Sequence, residues 1–402
     1  MSLEVGKSYE VEIEKLIYGG HGLAHTEGHT LFVSGAAPGD RILVRVLEIE
    51  RKLAKAVAEE IVSPSPIRRE PRCPHFGICG GCHLQHIEYS EQLKIKSGFI
   101  RESINRIGRI DWKTEIPVLS GDEFGYRTRA EIKLSRIYHR SGSQALDIGF
   151  FKTGSHEICS VSDCAVLDAA ANEKLGELHQ HSLPPEATRV YLTVGDDQVL
   201  VTPATGENAK EAEVDATGKV FQEIAGKKLG FGPRTFFQSN RRLTEVLVAE
   251  ALRGVEGETA FDLYAGAGLF TLPLADRFKR VFSVEGSPIS SEHAKDNAIL
   301  NHAENIEFHT GSVEGWLKYQ APAHPDLVLL DPPRVGAGPT VVERLLGLQP
   351  AKIVYVSCDP TTLARDLKQL VAGGYQLEEV TGVDMFPQTY HVETIAKLRP
   401  ID

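Results

Sequence analysis

Three cysteines stand close together in the chain, in the pattern Cys73-x5-Cys79-Gly-Gly-Cys82. Thiolates at this spacing, with glycines that let a loop wrap closely, suit one soft metal centre. A fourth ligand is needed, and the spacing does not choose between Cys159 and Cys164 further along the chain. It also leaves iron–sulfur and zinc open, although it differs from the Cys-x3-Cys-x2-Cys of radical enzymes. We therefore predict a metal centre here.

A sixth cysteine has a different setting, within Ser357-Cys358-Asp359-Pro360. It follows the apolar segment KIVYV and precedes residues 361–372, which are typical of a helix. The dipole of a helix favours negative charge at its N-terminus and therefore favours a thiolate there. We predict that Cys358 is a nucleophile.

Carboxylates follow or begin other apolar segments. Asp331-Pro-Pro-Arg334 comes directly after DLVLL, and its two prolines make a stiff loop because each fixes φ. A carboxylate and a guanidinium fixed in this way could position a flat base. Glu393 stands at the start of the last predicted strand, in VETIAKL, from which its carboxylate could act as a general base.

A glycine loop, Gly266-Ala-Gly268, separates a buried strand from a helix. Glycine lets a backbone approach a ligand closely. Glu285 ends the next apolar segment, from which a carboxylate can accept hydrogen bonds from both ribose hydroxyls of a nucleoside. A dinucleotide loop would carry a third glycine at position 271, where this chain has threonine. The pattern favours S-adenosylmethionine over NAD.

The elements that must position these residues begin near residue 239. Helix and strand signals alternate from there, with a helix at 242–252 and another opened by Ser287-Pro288. Such alternation indicates a doubly wound α/β domain with a mostly parallel sheet. Ligands bind at the carboxyl ends of the strands in such sheets, which is where the predicted site residues stand.

The first part of the chain has a different pattern. Residues 7–60 alternate apolar and polar side chains between glycine turns, which predicts a small β-barrel. Residues 63–72 hold three prolines and indicate a linker. Ser90 is expected to cap a helix that ends near Gly108, and 126–235 to mix short strands and loops.

Composition narrows the class of protein. The 402 residues are 42% hydrophobic and carry a net charge of −11, with no apolar run long enough to span a membrane and no signal peptide. We expect a globular cytoplasmic protein, in which disulfides are rare. Residues 61–140 hold 14 basic and 9 acidic residues, which is either a solvated face or a surface for phosphates.

Together these motifs resemble the RNA uracil-5-methyltransferase family, most closely its iron–sulfur-containing branch that acts on 23S ribosomal RNA, since the transfer-RNA enzymes of bacteria commonly lack the cluster. The resemblance covers nearly the whole chain. It implies a Rossmann-like class I methyltransferase domain, an N-terminal OB-like TRAM β-barrel and a central α+β iron–sulfur domain. The segments that carry it are the cysteine cluster with Leu84-Gln-His86, Phe236-Phe-Gln-Ser-Asn240, the glycine loop, the motifs at Asp331 and Cys358, and Asp384 to Glu393.

The family resemblance also implies residue roles. Cys358 would add to carbon 6 of uracil, and Glu393 would remove the proton from carbon 5. The implied S-adenosylmethionine pocket consists of Gln238, Tyr264, Glu285 and Asp331. The implied ligands of a four-iron, four-sulfur cluster are Cys73, Cys79, Cys82 and Cys164, which leaves Cys159 spare. The implied domains are 1–62 (barrel, binding RNA), 72–235 (iron–sulfur, with helix 90–108 able to pack on the catalytic domain) and 236–402 (methyltransferase), in a monomer.

Two positions depart from the family pattern, and three other functions stay open. Leu269 and Asp359 stand where relatives usually have asparagine, and the Asp359 charge would raise the pKa of the neighbouring thiol. The substrate could be a transfer-RNA uridine instead. Methylation of a base amino group is a second alternative, against which Arg334 and Cys358 count. The third is a non-catalytic RNA-binding or assembly factor.

Overall fold

The computed structural model describes residues 3–138, 144–180, 183–205 and 218–401. Its first unit is a six-stranded sheet in the order β1-β5-β6-β4-β3-β2. The sheet curls so that β1 approaches β3 and encloses a core of its own, which includes Val33 and Val44. The strands are β1 (Ser8–Glu12), β2 (Lys15–Leu16), β3 (Gly22–Thr26), β4 (His29–Ser34), β5 (Arg41–Glu50) and β6 (Leu53–Ser63). The predicted barrel is confirmed.

A buried carboxylate anchors this barrel to the segment that follows. The Asp40 side chain is fully buried and accepts hydrogen bonds from the Arg68 guanidinium at 2.7 Å and from the amides of Ala37 at 2.6 Å and Ser65 at 2.9 Å. Burial alone would raise the pKa of Asp40, but the bonds from Arg68 and the two amides lower it below its ordinary value. The proline-containing segment therefore leaves the barrel in a fixed direction.

The central unit is a five-stranded antiparallel sheet in the order β10-β9-β8-β11-β12. Its main strands are seven to ten residues long, so the expectation of short strands and loops was wrong. Leu175 of the helix α2 shares a core with Ile132 and Val190 of the sheet. The elements are β8 (Arg129–Tyr138), β9 (Gln144–Phe151), β10 (Ile158–Ser160), α2 (Ala169–Leu178), β11 (Ala187–Val194) and β12 (Val199–Thr205), preceded by α1 (Tyr89–Arg106) and β7 (Val118–Leu119).

The helix α1 begins earlier than its sequence predicts. Its N-cap is Glu88, without a side-chain cap, so the expected cap at Ser90 was wrong. The start is set instead by Gln92, whose side-chain amide donates to the carbonyls of Leu84 and Ile87 at 3.0 and 2.9 Å. Ile104 of this helix shares a core with side chains of the C-terminal sheet, so α1 packs on that sheet.

The C-terminal unit has an eight-stranded sheet in the order β17-β16-β15-β18-β19-β21-β20-β7. The strands β15 to β19 run parallel and β21 runs antiparallel to β19. Separate apolar cores cover the two faces, so the predicted doubly wound fold is confirmed. Besides β7, the strands of this sheet are β15 (Gly257–Leu263), β16 (Phe278–Glu285), β17 (Ile306–Thr310), β18 (Leu327–Leu330), β19 (Ile353–Ser357), β20 (Tyr375–Val383) and β21 (Glu393–Pro400). A separate antiparallel pair precedes them, β13 (Val220–Ile224) with β14 (Lys227–Phe231). The helices are α3 (Arg241–Ala251), α4 (Thr271–Ala275), α5 (Pro288–Leu300), α6 (Val313–Tyr319), α7 (Gly338–Leu348) and α8 (Pro360–Ala372).

The helix start predicted at Ser287-Pro288 is confirmed. Ser287 caps α5 through its hydroxyl oxygen, and Pro288 occupies the first helical position. None of the described helices combines the length and the apolar composition that crossing a bilayer requires.

Candidate active site

One edge of the C-terminal sheet collects the predicted catalytic residues and most of the predicted pocket. It is formed by the carboxyl ends of β15, β16, β18 and β19 and, because β21 runs the other way, by the beginning of β21. We call it the catalytic edge. Its side chains are Tyr264 after β15, Glu285 at the end of β16, Asp331 after β18, Cys358 after β19 and Glu393 at the start of β21.

The Cys358 thiol is half-buried, and burial raises its pKa to about 12, with Glu393 and Asp331 adding to the rise. Arg334 opposes this effect. The expected stabilisation of a thiolate by the helix is outweighed, because the first amides of α8, at Thr361 and Thr362, donate to Asp359 Oδ1 at 2.8 and 3.1 Å. The helix N-terminus thus binds its own capping carboxylate. In the free protein the thiol is protonated at neutral pH.

Glu393 is buried beside the thiol. Burial and the neighbouring Asp331 raise its pKa well above the ordinary range for a carboxyl group, and Arg334 opposes the shift. Glu393 Oε2 is buried and has no hydrogen-bond partner among the described residues. This carboxyl group is therefore free to exchange a proton with a ligand that enters the site.

Two further carboxyl groups lie behind this pair. Burial and the charge of Asp262 raise the pKa of Asp331 to about 7. Burial also raises the pKa of Asp262 to about 7, although Thr271 Oγ1 donates to it at 2.5 Å. A cationic ligand would favour the ionised form of both groups. Sequence reasoning missed Asp262, for which the only signal was an acid four residues before the glycine loop.

The glycine loop faces Glu285. Glu285 Oε2 accepts from the Gly266 amide at 2.8 Å, and Oε1 accepts from the Ser287 amide at 2.6 Å. Gly266 has a φ of +57°, and a Cβ built there would lie within 4 Å of no heavy atom. The position therefore favours glycine because of its left-handed backbone conformation and not because a side chain would clash. Tyr264 adopts a φ of +66° in the same turn. The loop is tightly folded around the carboxylate that is predicted to bind ribose.

Gln238 lies in a segment that the central unit fixes. The Ser239 carbonyl accepts from the Thr128 amide at 2.8 Å, and Arg129 Nη1 donates to the Thr235 carbonyl at 2.7 Å. Gln238 itself is buried, and its Oε1 has no partner among the described residues. A buried amide oxygen without a partner is costly and indicates a ligand that would donate to it.

Beyond Glu285 lies a cleft that the sequence analysis did not identify. It is lined by Thr310, Ser312, Trp316 and Tyr319, and the amide of Gly311 donates to the Glu285 carbonyl at 2.9 Å. Aromatic and hydroxyl side chains next to a carboxylate that is predicted to bind ribose suit a purine ring. The only sequence signal was the position of Thr310 at the end of a strand.

The predicted metal ligands share one cavity, which we call the cysteine cavity. Cys73, Cys79, Cys82 and Cys164 line it together with apolar side chains such as Phe76 and Phe150. Cys159 is not one of the lining residues, although its Sγ lies 3.7 Å from Nδ1 of His75, which is. Burial raises the pKa of Cys79 to about 11 and that of Cys82 to about 12. In the described ranges, no group of three or more His, Cys, Asp or Glu side chains is arranged around a point where one metal ion could bind.

The cysteine cavity and the catalytic edge are joined through the loop before β21. The amides of His83 and Leu84, which directly follow Cys82, donate to the Gln388 carbonyl at 2.8 and 2.9 Å. Gln388 is fully buried with a φ of +68° and lies five residues before Glu393. The same loop begins at Asp384, which forms a fully buried ion pair with Lys96 of α1. The position of Glu393 thus depends on contacts that its loop makes with two other segments, the one that follows Cys82 and α1.

Comparison with known proteins gives matches along almost the whole chain. Residues 222–399 match the family model described as tRNA (Uracil-5-)-methyltransferase, and residues 2–58 match the TRAM domain. The 23S rRNA (uracil(1939)-C(5))-methyltransferase of Vibrio parahaemolyticus is 34% identical over 96% of this chain and 94% of its own length. An uncharacterised RNA methyltransferase of Aquifex aeolicus is 32% identical over 98% of this chain and 99% of its own.

Among solved structures, the tRNA (uracil-54, C5)-methyltransferase of Pyrococcus abyssi, in complex with S-adenosyl-L-homocysteine, superposes with a TM-score of 0.75. It is 27% identical and the match covers 97% of this chain and 100% of that chain. Both the barrel and the doubly wound sheet therefore occur together in a known architecture.

Proposed function

Since the chain belongs to the RNA uracil-5-methyltransferase family, whose members use S-adenosylmethionine, we propose that it methylates carbon 5 of one uridine in 23S ribosomal RNA. The proposed target is the counterpart of the uridine at position 1939 named for the Vibrio enzyme. The observation that carries the chemistry is the pairing of Cys358 with Glu393 at the catalytic edge, close enough that the carboxylate charge raises the pKa of the thiol.

In the proposed reaction, the Cys358 thiolate adds to carbon 6 of uracil, and the electron pair of the double bond moves onto carbon 5 and the carbonyl. S-Adenosylmethionine supplies the methyl group that carbon 5 then takes up. Glu393 removes the proton from carbon 5, the double bond re-forms, and the bond between sulfur and carbon 6 breaks. The target base must be flipped out of any helix to reach the edge.

Formation of the thiolate needs an explanation, because the pKa of Cys358 is raised in the free protein. Two of the groups that raise it are Glu393 and Asp331. We infer that with a cationic ligand beside Asp331 the pKa of the thiol and that of Glu393 both fall. The thiol can then lose its proton to solvent, and Glu393 is ionised and able to accept the proton from carbon 5. The nucleophile would then form only when the methyl donor is in place, which protects the thiol from other reactions.

We propose that the donor pocket is formed by Gln238, Tyr264, Glu285 and Asp331. The residues fit the group: Gln238 Oε1 is buried without a described partner, and Asp331 and Asp262 supply negative charge for a sulfonium and an ammonium group. Glu285 would exchange its bonds to backbone amides for bonds to ribose hydroxyls. The cleft at Thr310 would take the adenine.

We further propose that the cysteine cavity binds a four-iron, four-sulfur cluster through Cys73, Cys79, Cys82 and Cys164. Four thiols facing one largely apolar cavity fit such a group. The cluster would be structural, because the loop that carries Cys82 also binds the Gln388 carbonyl.

The RNA is proposed to lie across the barrel and the basic stretch at 61–140, which would bind phosphates and stacked bases. The boundaries at 1–62, 72–235 and 236–402 stay a proposal, as do a monomeric state and a cytoplasmic location. The helix α1 lies within the proposed central domain in sequence, but it packs on the C-terminal sheet in the structure.

A methyl-transfer assay tests the proposed function. Protein purified without oxygen is incubated with isotope-labelled S-adenosylmethionine and unmodified 23S rRNA or tRNA in separate reactions, with Cys358→Ala as the matched control. We expect label in 5-methyluridine from the ribosomal transcript only, mapped by mass spectrometry to one uridine. Label from tRNA alone would overturn the substrate, label in a methylated amino group would overturn the chemistry, and binding without transfer would indicate a non-catalytic factor.

A further inference from the structure

A tyrosine of the barrel reaches the catalytic edge. Tyr18 stands in the turn between β2 and β3, and its ring packs edge-on against Phe99 of α1 at 6.0 Å and Tyr390 of the loop before β21 at 5.5 Å, measured between ring centroids. Edge-to-face pairs at these separations are favourable and fix the direction of a ring. The barrel therefore contacts the active site by a defined side chain.

The Tyr18 hydroxyl lies between two atoms of the nucleophile turn. Its oxygen is 3.4 Å from Asp359 Oδ2 and 3.4 Å from the Cys358 carbonyl oxygen. Both distances are long for an O–H···O hydrogen bond, but contacts in ligand-free sites commonly shorten when substrate binds. Asp359 Oδ1 is already bonded to the first amides of α8, so Oδ2 faces Tyr18.

The turn that carries Tyr18 is rigid. The Ile17 amide donates to the His21 carbonyl at 2.9 Å, and the Gly20 amide donates back to the Ile17 carbonyl at 3.0 Å. Gly20 has a φ of +83°, and a Cβ there would lie 3.4 Å from the Tyr390 ring and 3.5 Å from His83. The turn is thus seated closely against the catalytic loop.

We propose that Tyr18 is a positioning residue of the methyl-transfer site, which holds the Cys358–Asp359 turn and so makes the barrel part of the active site. This inference rests on the proposed role of Cys358. The charged groups that face the thiol are Glu393 from β21, Asp331 and Arg334 from the turn after β18, and Asp359 beside it. Among them Asp359 is the group that Tyr18 contacts, and a donated hydrogen bond weakens the effect of its charge on the thiol.

The test compares Tyr18→Phe, which keeps the ring, with the wild type. Tyr9→Phe is the matched control, because it removes a hydroxyl of the same barrel that accepts a hydrogen bond from the Glu4 amide. We expect Tyr18→Phe to lower kcat about tenfold while KM for RNA stays within about twofold. We also expect slower alkylation of Cys358 by iodoacetamide, with the pH profile displaced to higher pH, read by mass spectrometry on the Cys358 peptide.

The alkylation profile does not require methyl transfer, so it separates this inference from the proposed function. An Asp359→Asn background should remove the effect of Tyr18→Phe on alkylation. An unchanged kcat and profile would overturn the proposal, as would a raised KM at unchanged kcat, which would make Tyr18 an RNA contact. An equal loss in Tyr9→Phe would also overturn it, since the effect would then belong to barrel stability.

Discussion

The catalytic edge and the cysteine cavity both contain thiols whose pKa is raised by burial, yet the chain builds them by different means. Cys358 stands at the end of a strand paired on both sides within the eight-stranded sheet. Cys73, Cys79 and Cys82 lie in a segment without a strand or helix of its own, where Cys79 forms only an isolated bridge with Lys152.

This difference indicates what holds each site. At the catalytic edge, strand pairing fixes the backbone whether or not a ligand is bound, so the side chains are preorganised for chemistry. In the cysteine cavity the loop is held by turn bonds and by bonds to other segments instead of by a sheet, so whatever the thiols bind would add to the stability of its shape. We therefore expect substitutions at the edge to affect turnover and substitutions in the cavity to affect stability.

The largest expected effect is that of Cys358→Ala. Without a nucleophile, methyl transfer should fall by at least about 10³-fold. The midpoint of thermal unfolding should move by less than about 2 °C, since a half-buried small side chain is shortened by one atom. Binding of S-adenosylmethionine, measured by calorimetry, should persist. Residual turnover near the wild-type rate would break the assignment of the nucleophile.

Glu393→Gln should reduce turnover by about 10²-fold or more, because proton removal from carbon 5 loses its base. Sulfur would then stay bonded to carbon 6 after methyl transfer. A protein–RNA adduct should therefore appear on a denaturing gel, and it should be absent from the Cys358→Ala, Glu393→Gln double variant. Loss of turnover without an adduct would indicate that Glu393 acts before the addition step.

Cys82→Ala tests the other side of the comparison. We expect loss of iron and acid-labile sulfide from protein purified without oxygen, and a fall of about 10 °C in the unfolding midpoint. Cys159→Ala is the matched control, because this buried cysteine is not among the residues that line the cavity, although it contacts His75, which is. Its variant should keep its iron. Stoichiometric zinc without iron, or equal iron loss in both variants, would contradict the proposed ligand set.

A smaller effect concerns pH at the catalytic edge. The pKa of Asp331 and that of Asp262 are both raised to about 7, so both carboxyl groups keep their protons in the folded protein until the pH approaches 7. The raised pKa values stabilise the ligand-free protein fully only below the pKa of an unfolded carboxyl group, and this stability is lost as the pH rises through 7. Above that pH both groups are ionised and attract a cation. The affinity for S-adenosylmethionine, divided by the affinity for its demethylated product, in which the sulfur is uncharged, should rise about fivefold between roughly pH 6 and pH 8. Asp262→Asn should flatten this rise in calorimetric titrations, and an unchanged ratio would contradict it.

The sequence by itself determined the elements of the barrel and of the doubly wound sheet and the residues at the strand ends of that sheet, but not the long strands of the central sheet or the helix α2. Period-two alternation identified the barrel, and alternating strand and helix signals identified the doubly wound sheet, because both patterns come from local geometry. Strand ends in a parallel sheet share one edge, so the sequence is enough to place Glu285, Asp331 and Cys358 there. The start of α1 could not, because a tertiary contact of Gln92 sets it.

Only the tertiary structure decided how distant segments meet. It placed Cys164, and not Cys159, at the cavity, and it brought Asp262 beside Asp331 and Tyr18 beside Asp359. It also showed that the thiol pKa of Cys358 is raised and not lowered, because burial and nearby carboxylates outweigh the expected effect of the helix N-terminus. Burial and charge at a side chain depend on atoms hundreds of residues away in the chain, and no local pattern records which of them will be neighbours.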